Sequence, residues 1–298
     1  MGRSAEQVAA EAVDAAIADV GSFDLKIEGA SEGMPAEQGD GGPASYVVRH
    51  RHEYIRTVRD VIEFRPADAG RPVRVLELGA FFGVCCIALA KLGYTVTAAD
   101  APEFMTQPEQ VERYGRHGVA ISGVRLEEYL LPFADEAFDV VIMCEVLEHL
   151  NFNPLPLLKE INRILSPGGL FYLALPNAAS IYNRVKLLRG EMIGFDVQEF
   201  FEQLDPRSSE IVNGHWREYT QAEIRRLLEP LGFAIDRQYY FSLGETLPAT
   251  SLRKRAARLF YQRLPQMKEN QVTLAVRARR TDLKLRIPAT VHKELREL

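Results

Sequence analysis

From residue 73 onward, short apolar runs alternate with stretches of helical periodicity, and this alternation limits the fold more than any other feature of the chain. The runs at 73–78, 94–99, 138–144, 170–175, 233–241 and 271–278 are predicted strands. Strands with unbroken apolar cores are typical of a parallel sheet that helices cover on both faces. The pattern therefore predicts a doubly wound α/β domain, in which ligands bind at the carboxyl ends of the strands.

Two helical stretches precede this domain. Residues 5–20 place small and branched apolar side chains on one helical face, and residues 46–64 do the same. Between them, 29–44 holds five glycines and two prolines, which is typical of a flexible linker. Arg51 falls inside the apolar stripe of the second helix, so it needs a partner. We assign residues 1–64 to N-terminal helices and a linker.

Residues 177–219 interrupt the alternation with a long aromatic segment of mixed charge, which we interpret as a helical cap over the carboxyl edge of the sheet. The main domain then spans 65–280, and a basic tail spans 281–298. Residues 251–298 hold 13 Lys and Arg against 4 Asp and Glu, whereas the rest of the chain holds 23 against 37. A basic segment of this kind either attracts an anionic surface or substrate, or forms a solvated helix face.

Composition narrows the class of protein. With 298 residues, 47% hydrophobic and 26% charged, the chain can bury a sizeable core. Its three cysteines suit neither a disulfide framework nor a zinc site, which favours a reducing compartment. No apolar stretch approaches the roughly 18 residues of a membrane span. Acidic residues in the first 20 positions argue against a secretory or transit peptide, so we predict a cytoplasmic protein.

The first strand leads into a glycine turn, Glu77-Leu-Gly79-Ala-Phe81-Phe-Gly83. Glycines at a helix start let a cofactor approach the backbone closely. Phe81 stands where a dinucleotide fingerprint has the glycine that admits the pyrophosphate, which argues against NAD. An acid at Glu77 suits a cofactor with an ammonium group instead.

Asp100 ends the second predicted strand, 21 residues after Gly79. A carboxylate at this place accepts both ribose hydroxyls in other doubly wound nucleoside sites. The alternative is that Asp100 caps the following helix.

After the 138–144 strand, Glu145, Glu148 and His149 stand at positions i, i+3 and i+4. If this segment is helical, the three side chains share one face. Two carboxylates and an imidazole in that arrangement form either a divalent metal site or an acid–base cluster.

Taken together, ELGAFFG, the strand-end Asp100, LPF…FD, EVLEH, LSPGG, HWREYT and LLEPLGF resemble the class I S-adenosylmethionine-dependent methyltransferases over roughly residues 46–280. The resemblance implies a Rossmann-like seven-stranded sheet and S-adenosylmethionine as cofactor. It also implies a cofactor site, with Asp100 at the ribose and Glu127 near the adenine amine. The other residues that the resemblance implies for the cofactor site are Glu77, Gly79, Ala80, Gly83 and Cys144.

Within that superfamily, EVLEH is most similar to the ubiquinone-pathway O-methyltransferases. In those enzymes an N-terminal Arg reaches the methionine carboxylate, and the match here falls on Arg51, for which a structural salt bridge is the alternative. The resemblance to these and to small-RNA 2′-O-methyltransferases implies a metal, Mg²⁺ or Mn²⁺, on Glu145, Glu148, His149 and His215.

The sequence thus predicts an O-methyltransferase that acts on a hydroxyl of a small molecule, a sugar or a natural-product scaffold. His149 and Glu145 are the predicted catalytic residues, with His149 taking the proton or a metal lowering the pKa of the hydroxyl. RNA 2′-O-methylation is one alternative, against which the acidic body argues. A cofactor-binding protein without catalysis and an NAD-dependent oxidoreductase are the others. The sequence leaves the oligomeric state open.

Overall fold

The computed structural model describes residues 3–21, 43–67, 70–194, 197, 214–242 and 252–285. Its centre is a seven-stranded sheet with the order β3-β2-β1-β4-β5-β7-β6. The strands are β1 (Arg74–Leu78), β2 (Thr95–Asp100), β3 (Ala120–Gly123), β4 (Phe138–Cys144), β5 (Leu165–Pro176), β6 (Phe233–Phe241) and β7 (Asn270–Arg277). The α/β fold predicted from the sequence is confirmed.

Two features of the sheet differ from the prediction. The strands β1 to β5 pair in parallel, but β7 runs antiparallel to both β5 and β6. The chain leaving β6 returns to the edge at which β6 ends, so β7 has to run the opposite way and the sheet is mixed. Strand β3 was not found from the pattern because three of its four residues are exposed and it has no apolar run.

Helices cover both faces of the sheet. They are α1 (Ala5–Gly21), α2 (Pro43–Arg49), α3 (Arg51–Phe64), α4 (Val84–Lys91), α5 (Pro102–Met105), α6 (Pro108–Arg116), α7 (Leu155–Ile164), α8 (Ile181–Leu188), α9 (Gln221–Leu228) and α10 (Leu252–Arg263). One half of the core lies under α1, α3 and α4, and the other half lies under α7 and α9. The predicted inner face of α1 is confirmed, because Ala9, Val13, Ala16 and Val20 are buried.

The stretch predicted as one helix over 46–64 is two helices. The chain breaks at His50, between the end of α2 and the start of α3. The His50 ring lies against Tyr46, with 4.4 Å between ring centroids, and its Nδ1 is 3.2 Å from Glu53 Oε1. These contacts hold the corner between the two helices.

Several predicted segments lie partly or wholly outside the described residues. The linker at 29–44 is described only from residue 43, the cap at 177–219 lacks 195–196 and 198–213, and the tail at 281–298 is described only to 285. The domain boundaries therefore stay predictions. Within the described chain, no helix combines the length and apolar character that crossing a membrane requires.

The amino end of β4 is fixed by a buried carboxylate. Asp139 is 1% exposed and accepts hydrogen bonds from the Arg71 guanidinium at 2.6 and 2.8 Å, from the Arg74 backbone N–H at 3.0 Å and from the Ser166 hydroxyl at 3.0 Å. The two arginines and these hydrogen bonds hold the pKa of Asp139 far below its usual value, against the opposing effect of burial. The ionised carboxylate therefore stabilises the folded state.

We expect Asp139→Asn to lower the free energy of unfolding by about 2–4 kcal/mol at neutral pH, because a buried charge network loses its centre while both arginines stay partly solvated. A group whose folded pKa is depressed stabilises the fold above its unfolded pKa of about 3.9, and this contribution is lost as the pH falls further. Urea unfolding of both proteins should thus give a difference that shrinks below about pH 4. The matched control is Asp135→Asn. The half-exposed Asp135 carboxylate pairs with Arg163 and Arg280, and its loss should lower the free energy of unfolding by less than about 1 kcal/mol. An equal effect of both variants would contradict the assignment.

Candidate active site

The turn after β1 is shaped by a glycine that no other residue can replace. Gly79 has φ +74°, and a Cβ there would lie 2.3 Å from Val146 Cγ2. The backbone N–H groups of Gly79 and Ala80 both donate to the Ala99 carbonyl, at 2.9 and 3.2 Å. The β1 turn is therefore joined to β2 on one side and to the segment after β4 on the other.

The same turn carries a phenylalanine where the backbone is left-handed. Phe81 has φ +45°, a conformation that costs of order 1–3 kcal/mol for a non-glycine residue. Its carbonyl accepts from Tyr114 Oη at 3.1 Å, and its N–H donates to Asp100 Oδ2 at 2.8 Å. The Phe81 ring stacks on Phe104 and meets Tyr46 edge-on, each at 5.5 Å between centroids. These contacts hold the turn that a glycine would otherwise make.

Asp100 joins β1 and β2 at the carboxyl edge. Its Oδ2 accepts from the Phe81 N–H at 2.8 Å and its Oδ1 from the Ala101 N–H at 2.7 Å. Ala101, not Asp100, is the N-cap residue of α5, which disfavours the helix-cap alternative. Each carboxylate oxygen has a second lone pair for a further donor, so the residue fits a pair of ribose hydroxyls. The ribose contact stays a prediction.

Glu77 lies at the end of β1 beneath the start of α4. Its Oε2 accepts from the Cys86 N–H at 3.1 Å and from the Cys86 thiol at 2.8 Å. Burial and, to a smaller extent, the nearby Asp100 raise the pKa of Glu77 to about 7, against the hydrogen bonds from Cys86, which lower it. A cation placed at this turn would favour the ionised form, which is the electrostatic setting that a cofactor ammonium group needs.

Arg51 occupies the first turn of α3 and is engaged by α1. Its Nε and Nη2 donate to the two carboxylate oxygens of Asp14, at 2.5 and 2.8 Å. This bidentate pair raises the pKa of Arg51 and lowers that of Asp14. The salt bridge that the sequence left open is therefore present. The contact of Arg51 with a methionine carboxylate remains a prediction.

The remaining predicted cofactor residues lie at the same edge. Cys144 ends β4, and its thiol is 3.8 Å from the Thr57 hydroxyl of α3. Glu127 lies in a 3₁₀ turn after β3, is exposed, and has Arg125 Nη1 at 4.0 Å. Their contacts with a cofactor stay predictions.

The segment after β4 is not the helix on which the predicted acid–acid–His face depended. Glu145 has φ +52° and donates its N–H to the Ala174 carbonyl at 2.9 Å, so it continues the edge of the sheet. Only Leu147–His149 is helical, as a single 3₁₀ turn. The prediction that Glu145, Glu148 and His149 share one helical face is therefore wrong.

A smaller cluster forms instead across two segments. Among the described residues, ligand atoms of Glu148, His149 and His215 lie within 4.8 Å of one another, and Glu145 is outside this group. The Glu148 side chain is fully buried, and neither carboxylate oxygen receives a hydrogen bond from a donor group, although the Glu145 carboxyl group lies close enough to share a proton with it. Such orphaned oxygens are costly unless a proton or a cation satisfies them. The structure thus brings His149 and His215 together, with Glu148 beside them.

Both imidazoles are oriented by a neighbour on their Nδ1 side. His149 Nδ1 donates to the Gly214 carbonyl at 3.0 Å, because a carbonyl only accepts, and this places the His149 lone pair on Nε2. His149 Nε2 is 4.0 Å from Glu148 Oε1. His215 Nδ1 lies 3.3 Å from Glu218 Oε1. Histidines that bind metals are typically held in this way.

Glu218 was missed in the sequence, although it stands three residues after His215. Its other oxygen accepts from Asn183 Nδ2 of α8 at 2.6 Å. The segment itself is fixed by a bridge between Tyr219 and Asn177 and by a hydrogen bond from the Arg217 N–H to the Glu148 carbonyl at 3.3 Å. A capping box of Thr220 and Glu223 then starts α9. These contacts bring a distant part of the chain to the end of β4.

Burial and like charges dominate the electrostatics of this region. They raise the pKa of Glu145 and of Glu148, and burial together with His215 lowers the pKa of His149. Burial, with Glu145 and Glu53 nearby, also raises the pKa of Tyr46 to about 12. Tyr46 of α2 therefore lies near Glu145 and Glu53, a proximity that its sequence did not indicate.

A cavity of about 620 Å³ is lined by Leu150 and Trp216, the chain neighbours of His149 and His215, but by no member of the cluster itself. It lies between the segment after His149 and α9, and its lining includes Phe152, Trp216, Tyr219 and Arg226. Aromatic walls with a few charged groups are typical of small-molecule sites.

Comparison with known proteins identifies the family to which the chain belongs. A family described as "Methyltransferase domain" matches residues 49–238, more than half of the chain. A ubiquinone biosynthesis O-methyltransferase of Maricaulis maris is 36% identical over 115 residues, which cover 36% of this chain and 42% of that protein. One from Parvibaculum lavamentivorans is 32% identical over 130 residues, covering 43% and 51%. The chain thus matches about half the length of these relatives.

Solved structures give a further, weaker comparison. A SAM-dependent methyltransferase from Archaeoglobus fulgidus aligns with a TM-score of 0.48 at 15% identity, covering 78% of this chain and 99% of that one.

Proposed function

Because the chain belongs to this methyltransferase-domain family, we propose that it transfers the methyl group of S-adenosylmethionine to a hydroxyl oxygen of a small acceptor. Membership in this family supports the class of enzyme that the sequence predicts, a methyltransferase. S-adenosylmethionine is the cofactor that the sequence predicts for that class. The hydroxyl acceptor and the roles of individual residues belong to the proposal.

One observation carries it: the Glu148–His149–His215 cluster adjoins the glycine turn. Val146 precedes Glu148 by two residues, and its Cγ2 fills the place that a Gly79 side chain would take. An acceptor held at the cluster is thereby next to a cofactor held at Gly79 and Asp100. Methyl transfer needs little more from a protein than this positioning and the removal of a proton.

The proton is assigned to His149. Its Nε2 carries the lone pair because Nδ1 is committed to the Gly214 carbonyl. Burial lowers the pKa of His149, so the imidazole is neutral at neutral pH and ready to accept. Bound S-adenosylmethionine supplies a methyl group already activated on a sulfonium sulfur. Glu145 and Glu148 lie beside His149, and burial raises the pKa of both carboxyl groups.

The same cluster fits a divalent cation. The two orphaned Glu148 oxygens and the two oriented imidazoles are hard and borderline ligands without a thiolate, a set suited to Mg²⁺ or Mn²⁺. Glu148, His149 and His215 would hold the ion, with Glu145 nearby. A bound cation lowers the pKa of a coordinated hydroxyl. His149 cannot then be the base at the same moment, because the Nε2 lone pair serves only one of the two roles.

Mn²⁺ binding separates these roles. If the cluster holds a metal, the protein should bind one Mn²⁺ per chain, and His149→Ala and His215→Ala should each weaken binding at least roughly 10–100-fold, the loss usual even for residues that only orient ligands. Glu218→Gln should weaken it less than either. Electron paramagnetic resonance of free Mn²⁺ measures all four proteins without an acceptor. The control is His52→Ala on α3. Equal Mn²⁺ binding by every variant would exclude this cluster as a metal site.

For the acceptor we propose a hydroxylated small molecule, a sugar or a natural-product scaffold. The cavity beside the cluster supports this, because Phe152, Trp216 and Tyr219 offer aromatic faces for a ring, and Arg226 and Glu223 offer polar contacts. The relatives named ubiquinone biosynthesis O-methyltransferase add hydroxyl-bearing intermediates of ubiquinone biosynthesis to the acceptors that should be tested.

A panel assay tests this. The protein is incubated with methyl-labelled S-adenosylmethionine and with phenols, catechols, sugars or an RNA oligonucleotide, and the label is followed into product. We expect label on an oxygen of a small acceptor. Label that enters RNA alone would instead establish 2′-O-methylation. Tight cofactor binding with no transfer to any member of a broad panel would favour a non-catalytic role.

A further inference from the structure

The cavity between the segment after His149 and α9 combines apolar walls with a small number of charged groups. Its apolar lining includes Leu150, Phe152, Leu155, Trp216, Tyr219 and Leu227. Its charged lining consists, among the described residues, of Arg217, Glu223 and Arg226. In sites of this kind the apolar walls hold the ligand and the few polar groups select it. The charge that the three side chains leave unbalanced therefore determines which ligand fits.

Two of these three charges balance each other. Glu223 Oε1 accepts from Arg217 Nη2 at 2.8 Å, and its Oε2 accepts from the Thr220 N–H and from the Thr220 hydroxyl, each at 3.0 Å. The Arg217 guanidinium also lies over the Tyr219 ring, with 5.2 Å from Cζ to the ring centroid. Glu223 and Arg217 are thus committed to each other and to the start of α9, and together they add no net charge to the cavity.

Arg226 supplies the charge that is left. Glu223, Arg226 and Leu227 stand at i, i+3 and i+4, so they share the face of α9 that lines the cavity. Within the described part of the chain, no hydrogen bond or ion pair engages the Arg226 guanidinium. This guanidinium always carries its charge and presents five N–H donors in a planar fork. The described lining therefore has one net positive charge with donors to spare.

The cation and the rings belong to different parts of the lining. Arg226 is in the last turn of α9, whereas Trp216 and Tyr219 come before its first turn. Trp216 and Leu150 are also the chain neighbours of His215 and His149. A ligand that contacts both the rings and the cation therefore carries its ring and its anionic group at separate places on the molecule.

We propose that this cavity binds a ring-bearing small molecule with an anionic group, a carboxylate or a phosphate, and that Arg226 is the residue that selects it. The guanidinium fork matches two oxygens of a carboxylate or phosphate in one bidentate contact. Stacking against Phe152, Trp216 or Tyr219 holds the ring. A neutral ring compound would fill the apolar walls but leave the Arg226 donors to water. The anionic compound is the ligand that satisfies both parts of the lining.

For methyl transfer, the selection by Arg226 names the chemical class of the acceptor. If the cavity holds the acceptor, this is a hydroxylated ring compound that also carries an acidic group. That consequence rests on the proposed function, whereas binding of an anionic ring compound in the cavity does not.

Binding of benzoate and of benzamide tests the proposal on the full chain without cofactor. The two probes are nearly equal in shape, and only benzoate is charged. Calorimetry measures both affinities, and the fluorescence of Trp216, the single tryptophan of the chain, reports whether a probe occupies the cavity. We expect benzoate and phenyl phosphate to bind saturably, to change the Trp216 fluorescence, and to bind at least roughly tenfold more tightly than benzamide, the lower end for a hydrogen bond to a charged group. Because no methyl transfer is measured, failure here is distinct from failure of the proposed function.

Variants of Arg226 locate the contact. Arg226→Gln should weaken benzoate binding at least roughly tenfold and leave benzamide binding nearly unchanged, because only the charged contact is lost. Arg226→Lys should keep part of the preference for benzoate, since an ammonium group retains the charge but not the fork.

The matched control is Arg225→Gln, which removes the neighbouring guanidinium of the same helix. Arg225 is absent from the described lining of the cavity and donates instead to Glu229 Oε1 and Gln238 Oε1, each at 3.1 Å. This variant should bind both probes as the unmodified chain does. Thermal unfolding shows whether each variant keeps its fold.

Three results would overturn the proposal. The first is that neither benzoate nor phenyl phosphate binds saturably to the unmodified protein. The second is equal affinity for benzoate and benzamide. The third is benzoate binding that folded Arg226→Gln retains in full, or that Arg226→Gln and Arg225→Gln weaken equally.

Discussion

Replacement of His149 by alanine is expected to lower kcat roughly 10²–10⁴-fold, the usual contribution of a positioned proton acceptor. The expectation follows from the tautomer of the neutral His149 imidazole. The Gly214 carbonyl takes the Nδ1 proton, so Nε2 is the basic atom, and it faces Glu148 and His215. The loss is expected whether His149 accepts the proton itself or holds a metal. The measurement is steady-state transfer to whichever acceptor the panel identifies.

Two further readouts distinguish a chemical role from a structural one. Cofactor affinity should stay nearly unchanged, because Asp100 and the Gly79 turn do not contact His149. His52→Ala on α3 should keep the full rate. If chelated enzyme retains its rate and His149→Ala still loses it, His149 acts as a metal-free base. A folded His149→Ala protein with undiminished kcat would remove this residue from the mechanism.

Replacement of Asp100 by alanine is expected to weaken S-adenosylmethionine binding by about 1.5–3 kcal/mol, on the order of 10- to 150-fold, the range for hydrogen bonds to a charged group. The structure places this effect toward the upper end. Asp100 offers lone pairs to the ribose, and it also accepts a hydrogen bond from the N–H of Phe81, whose backbone is left-handed. The variant therefore loses the ribose contact and also a hydrogen bond that holds the turn. Isothermal titration calorimetry measures the change.

The matched control is Glu103→Gln, an exposed carboxylate three residues away that pairs with Arg125. Its affinity for the cofactor should equal that of the unmodified protein. Thermal unfolding of each variant confirms that the fold persists. An unchanged affinity in folded Asp100→Ala would exclude the ribose assignment.

The predictable parts of this molecule are those that local pattern determines. Apolar runs and their alternation with helical stretches identified six of the seven strands. The central strands β1, β4 and β5 gave the clearest runs, because they are buried along most of their length. The exposed strand β3 and the reversed direction of β7 were not predictable in this way, since they depend on pairing and on where a connection returns. The glycine turn was found because a strand end followed by Gly is a local signal, and Asp100 was found because an acidic residue ends the second predicted strand.

The candidate catalytic cluster shows where such reasoning stops. The spacing of residues identified Glu148 and His149. His215 lies 66 positions after His149, and only the family resemblance placed it beside them. The helical face that was to include Glu145 does not exist, because Glu145 adopts a left-handed conformation that residue spacing does not reveal. Arg51 was correctly expected to need a partner, yet pattern alone did not identify Asp14 on α1.

Titration of the unmodified protein with S-adenosylmethionine and with NAD⁺ is the most direct test that the edge formed by Gly79, Asp100 and Cys144 is an S-adenosylmethionine site. We expect S-adenosylmethionine, and its product S-adenosylhomocysteine, to bind with one molecule per chain, and NAD⁺ to give no saturable heat, because Phe81 occupies the place a pyrophosphate needs. Saturable NAD⁺ binding, or the absence of S-adenosylmethionine binding by a folded protein, would contradict the account.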